Sequence, residues 1–159
     1  MTKTESRLNR LFNIVKTVLM VYPFITLFYL WTTAGQAGTG LSEFMQGNPI
    51  ITITFITAML QPFAAWLLTI VQRRIESLDY DAALISVLLI FIAEALMKNM
   101  IGLVGLGVLF FYMYKNMPIS LTTCLKEGDR RLVLKDATGA VILIGLAAIC
   151  FFAMTRIGA

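Results

Sequence analysis

With 159 residues, 58% of them hydrophobic and only 14% charged, the chain is far more apolar than a soluble domain, where charged residues approach a quarter of the total. A mean hydropathy of +0.82, set against roughly 20 apolar residues per bilayer crossing, points to one transmembrane domain over residues 1–159 and leaves little for a separate soluble one. The net charge of +4 is what a multispanning protein gathers for orientation and does not imply nucleic-acid binding.

The sequence contains no His, which removes the commonest metal ligand and the usual base for a Ser or Cys nucleophile. Cys124 and Cys150 lack the spacing of a disulfide framework or a metal knuckle, and read as two reduced thiols. No cofactor-binding motif and no metal-ligand cluster is visible. The expected fold class is all-α, a polytopic helical membrane protein.

The chain begins with Thr2 three residues before Glu5, the spacing of a capping box, followed by Leu8, Leu11, Phe12 and Val15 on one face. Lys3, Arg7, Arg10 and Lys16 flank that face, so the segment is expected to lie against headgroups before the chain turns into the bilayer. A first span is expected at about 11–33, too long in its apolar run for a signal-peptide core and expected to stay uncleaved. Pro23 lies near its centre and should kink it. Tyr29 and Trp31 mark the far interface.

Residues 35–47 hold four glycines, Glu43 and no Lys or Arg, as an external loop should, with Leu41, Phe44 and Met45 available for one surface turn. Asn48 before Pro49 predicts a helix start, Asn as the cap and Pro at the first helical position. The second span is expected at about 49–72. Its middle carries Gln61 and Pro62, a second kink beside a polar side chain at nearly the depth of Pro23. Arg73 and Arg74 close the span on the cytoplasmic side, and Asp81 stands where a cap for the next helix belongs.

Residues 81–115 are about twice as apolar as one crossing needs. One long helix would give four spans. A helical hairpin turning at Lys98 and Asn99, with segments at about 82–98 and 100–115, would give five. In the five-span arrangement all of the 13 Lys and Arg except Lys98 and Arg156 lie inside, whereas one long helix carries Lys115, Lys126, Arg130, Arg131 and Lys135 outside. The positive-inside rule therefore selects five spans, N-terminus in and C-terminus out, with four as the alternative. Both hairpin segments are short for a crossing and imply local thinning.

Glu94 and Lys98 are spaced i, i+4 with Glu first, the favourable order for an ion pair on one helix face. Gly102, Gly105 and Gly107 can let helix backbones approach closely. The longest cytoplasmic segment, 117–136, mixes Leu121 and Leu125 with Lys126, Arg130 and Arg131 and suits a short surface helix. Asp136 is expected to cap a fifth span at about 137–155, where Gly139 and Gly145 offer further small contact surfaces.

A nucleophile with its base, a phosphate-cradling loop and a dinucleotide turn are all missing from the sequence, so an enzyme is not expected. The leading expectation is a non-catalytic accessory, regulatory or immunity-type subunit. It would act through helix packing with a membrane-protein partner or a second copy, in a bacterial-type cytoplasmic membrane. The alternative is a small homo-oligomeric transporter or channel using the intramembrane polar residues Gln61, Glu94 and Lys98, with Pro23 and Pro62 breaking the helices around them.

Overall fold

The computed structural model describes residues 3–77, 80–116 and 138–157. Every element among them is helical: α1 (Lys3–Gln36), α2 (Leu41–Gly47), α3 (Pro49–Glu76), α4 (Tyr80–Leu96), α5 (Met100–Asn116) and α6 (Thr138–Ile157). Three of these, α1, α3 and α6, are long and apolar enough to cross a membrane, as the helices of a membrane protein are. The surface helix expected near 117–136, Cys124, the Asp136 cap and the capping residue Thr2 fall outside the described residues.

The amphipathic start of the chain does not turn away along the interface as expected. It continues without a break into the apolar helix, so α1 is one element of 34 residues, about 51 Å long. The reason is where its apolar stripe goes. Leu8, Phe12, Val15 and Leu19 are buried in the common core, against α3 and α5, so the face that could have met headgroups meets protein. A polar tie reinforces the contact: Lys16 Nζ donates to Gln72 Oε1 at 2.6 Å, and Gln72 Nε2 donates to Asn9 Oδ1 at 3.3 Å.

The end of α1 is a Schellman arrangement. Gly38 adopts φ +70°, Gly38 N–H reaches the Gly35 carbonyl at 3.2 Å, and Thr39 N–H reaches the Ala34 carbonyl at 3.1 Å. The short α2 comes next, with no buried residue. At the start of α3, Pro49 occupies the first turn as expected, but Asn48 makes no side-chain cap for that helix. Its Nδ2 turns back and donates to the Phe44 carbonyl at 3.2 Å, serving the end of α2 instead. Pro23 and Pro62 both lie inside continuous helices.

The 81–115 stretch is broken into two helices of 17 residues each, packed on one another. Asp81 falls within the first turn of α4, two residues later than a cap would sit. The break is a second Schellman arrangement, unusual in its residue. Lys98 holds the left-handed position at φ +54°, its N–H reaching the Ala95 carbonyl and Asn99 N–H reaching the Glu94 carbonyl, both at 3.2 Å. Asn99 in turn offers its own carbonyl to Leu103 N–H at 2.9 Å, so one residue closes α4 and opens α5.

The core is shared by five helices, with Leu68, Leu84, Ile90, Leu106, Leu109 and Leu143 fully enclosed. Outward faces remain apolar: Phe24, Phe28 and Trp31 on α1, Val104 and Phe111 on α5, and Ile149 and Phe152 on α6 are exposed, as faces solvated by acyl chains should be. One contact sets the level of the hairpin. Gln61, which bonds to Glu94, lies twelve residues after Pro49 and fifteen before Glu76, so the tip of α4–α5 stands near the middle of α3.

Candidate functional site

Gln61, Glu94 and Asn99 converge where α3, the end of α4 and the inter-helix turn meet. Gln61 and Glu94 are fully enclosed, at 0% exposure each, and Asn99 is buried. Glu94 Oε2 accepts two hydrogen bonds, from Asn99 Nδ2 at 2.8 Å and from Gln61 Nε2 at 3.2 Å. Because the carboxylate takes the nitrogen of each carboxamide, it also fixes where their oxygens point. Gln61 Oε1 and Glu94 Oε1 are both buried without a hydrogen-bond partner.

A glycine makes the site possible. A Cβ on Gly102 would stand 2.5 Å from Glu94 Oε2, 2.8 Å from its Cδ and 2.9 Å from Asn99 Nδ2. The first turn of α5 therefore has no side chain at the point where the carboxylate lies against it. Gly102 was expected to serve helix packing, and what it meets on the neighbouring α4 is the acid.

The expected Glu94–Lys98 ion pair is not formed. The i, i+4 register requires one continuous helix, and α4 ends at Leu96. The left-handed turn at Lys98 carries its side chain away, with Nζ 5.9 Å from the centroid of the Phe151 ring on α6, a cation–π contact. Glu94 is thus held by two neutral amides, and no ion pair joins it among the described residues. Lys98 stays exposed near the cluster without entering it.

The residue that sequence reasoning left out is Asn99. Its position beside Lys98 marked the turn, but its bond to Glu94 depends on the Schellman backbone. An Asn next to an expected helix break, five residues after a carboxylate, was the available signal. The other glycines have separate roles. A Cβ on Gly105 would meet Val15 of α1 at 3.4 Å, one on Gly107 would meet Phe91 of α4 at 3.5 Å, and one on Gly139 would meet Leu67 of α3 at 2.5 Å. Gly145 has nothing within 4 Å.

Two other concave features are separate from the cluster. A cavity of about 90 Å³ between α3, α4 and α6 is bordered by Trp66, Ile90 and Gly139, with Arg74 and Ser86 at its polar edge. Arg74 Nη1 donates to Ser86 Oγ at 3.5 Å there. An open groove runs along Asn9, Arg10, Asn13 and Thr17 of α1. Neither brings a carboxylate together with unpartnered oxygens.

The donor set of the Gln61–Glu94–Asn99 cluster determines its chemistry. It brings one carboxylate and two carboxamides together, a set of oxygen acceptors and amide donors. Comparison with known proteins finds no family model, curated protein or solved structure that matches this chain.

Proposed function

We propose that this is a small integral membrane protein that handles a cation through the Gln61–Glu94–Asn99 cluster, in the manner of a transporter or channel. One observation carries this reading: Glu94 is fully enclosed, with Oε2 held by two amides and Oε1 unpartnered. An acidic group at depth costs several kcal/mol in an apolar medium, and a latch between α3 and the hairpin could be built from neutral groups. An ionisable residue kept there, with no basic side chain among the described residues to neutralise it, is a group arranged to meet a mobile charge.

The proposed topology puts the N-terminus inside and the C-terminus outside, supported by the Lys and Arg distribution. Helices α4 and α5, about 25 Å each, fall short of a core of about 30 Å. Five full crossings would need a thinned bilayer. A hairpin that enters and returns from the inner side needs none, keeps the same orientation for α6, and suits a tip level with the middle of α3.

The accessory-subunit reading keeps one support. Gly145 faces open space on α6, between exposed Ile142 and Ile149, and could receive a partner helix or a second copy. Its other support is weaker than the sequence promised, because Gly105, Gly107 and Gly139 are matched by Val15, Phe91 and Leu67 of the same chain.

The test is cation flux in proteoliposomes carrying wild type or Glu94→Gln at equal density. Wild type should dissipate an imposed cation gradient, and Glu94→Gln should not, while both insert and elute with the same oligomeric state. Equal flux from the two proteins would end the proposal.

A further inference from the structure

Resting on that reading of the site, we infer that the cation it takes is a monovalent alkali ion, coordinated by Glu94 Oε1 and Gln61 Oε1. The two oxygens are the acceptors that the hydrogen-bond network leaves over. Gln61 Nε2 lies 3.2 Å from Glu94 Oε2, and each unpartnered oxygen is about 2.2 Å from its geminal neighbour by covalent geometry. The two therefore lie at most about 8 Å apart, in the same enclosed pocket of the core. Both side chains are fully enclosed, so no bulk water completes their shells.

A third oxygen comes from the backbone. Pro62 has no N–H, so the carbonyl of Ala58, one turn before it on α3, loses the donor that a helix would supply. Ala58 is itself fully enclosed, on the same side of the helix as Gln61. A proline after a buried Gln thus frees a carbonyl next to the side chain that needs a co-ligand, as broken helices do at membrane ion sites.

The chemistry selects the ion. An all-oxygen set without His or Cys suits hard cations. One carboxylate balances one positive charge, and among the described residues the other charged group near the turn, Lys98, is itself cationic. A divalent ion would leave an uncompensated charge in the core, where that is most costly. Asn99 and Gly102 complete the arrangement without ligating: Asn99 donates to Oε2, and the missing side chain at Gly102 leaves the space that Oε2 and the carboxyl carbon fill, so Oε1 is the oxygen left for an ion.

Thermal unfolding of the purified protein in detergent tests this, titrating NaCl or KCl against choline chloride at constant ionic strength. The expected result is a saturable rise in Tm with sodium or potassium that choline does not produce. Glu94→Gln should abolish it, and Gln61→Met, which keeps volume but removes the oxygen, should weaken it at least tenfold. A response no larger than that to choline, a larger saturable response to CaCl2, or an undiminished response in Glu94→Gln would overturn the inference. The two proposals separate cleanly. Glu94-dependent proton flux without saturable alkali-ion binding sinks this inference alone, whereas saturable binding without Glu94-dependent flux sinks the transport reading and leaves the binding site.

Discussion

Replacing Gly102 by Ala puts one methyl group where the carboxylate of Glu94 lies. The new Cβ would sit 2.5 Å from Oε2 and 2.8 Å from Cδ, about 1 Å inside ordinary contact. The backbone of α5 cannot yield cheaply there, because Leu106, one turn on, is fully enclosed. The carboxylate must therefore move, and it can do so only by giving up the bonds from Asn99 at 2.8 Å and Gln61 at 3.2 Å. Overpacking of this kind costs about 1–3 kcal/mol, and buried polar groups left unpaired cost about 1–3 kcal/mol more. The gain in helix propensity for Gly→Ala offsets about 1 kcal/mol. The net expectation is a loss of about 1–5 kcal/mol, read as thermal or denaturant stability of the purified protein in detergent. Gly145→Ala is the control, since it carries the same propensity gain and has nothing within 4 Å, so it should be neutral or slightly stabilising. Restoring stability to Gly102→Ala by adding Glu94→Ala would locate the clash. If Gly102→Ala is as stable as Gly145→Ala, the carboxylate is not held against α5 and the description of the site is wrong.

Two further predictions concern the hairpin turn. Lys98→Gly should leave stability unchanged or raise it by up to about 1 kcal/mol, because glycine relieves the left-handed strain of about 1–2 kcal/mol while the contact to Phe151 forfeits about 0.5–1 kcal/mol; a loss well beyond 1 kcal/mol would mean that Lys98 neutralises Glu94 after all. In a chain whose native cysteines are replaced by Ser, a membrane-impermeant maleimide should label Gly40→Cys readily in intact cells. Met100→Cys, at the tip, should react slowly or not at all, and equal labelling of the two would favour five complete crossings over an inner-side hairpin.

Much of the architecture was legible because bilayer physics writes it into composition. The helix start at Pro49, the break between Leu96 and Met100, and the far end of α1 near the Gly-rich segment each arise from Pro, Gly, Asn and charge in a chain otherwise poor in them. Local reasoning could not reach the choice between equivalent local partners. The face bearing Leu8 and Phe12 is equally suited to headgroups or to protein, and only the docking of α3 and α5 decides it. Asn48 could cap the helix after it or the one before it, and chose the latter. Glu94 and Lys98 had the right spacing for an ion pair, but spacing presumes a helix, and the same two residues flank the place where the helix ends. Gln61 and Glu94 are 33 residues apart, and nothing in the intervening sequence states that they meet.

The position of that meeting point ties the topology to the chemistry. If α4 and α5 crossed fully, Glu94 would lie near the outer interface, where water could solvate a carboxylate directly and two buried amides would be superfluous. With the tip level with the middle of α3, the carboxyl group has no such recourse, and each feature around it acquires a cause. Asn99 and Gln61 supply the donors that water cannot, Gly102 supplies the space, and Pro62 leaves the Ala58 carbonyl without its helical donor one turn away. Lys98 takes a strained left-handed conformation at the turn, where a helical one would have kept it beside the acid. An ion pair there would have neutralised Glu94 permanently. Turned toward Phe151, Lys98 leaves the acid to the two amides of Asn99 and Gln61.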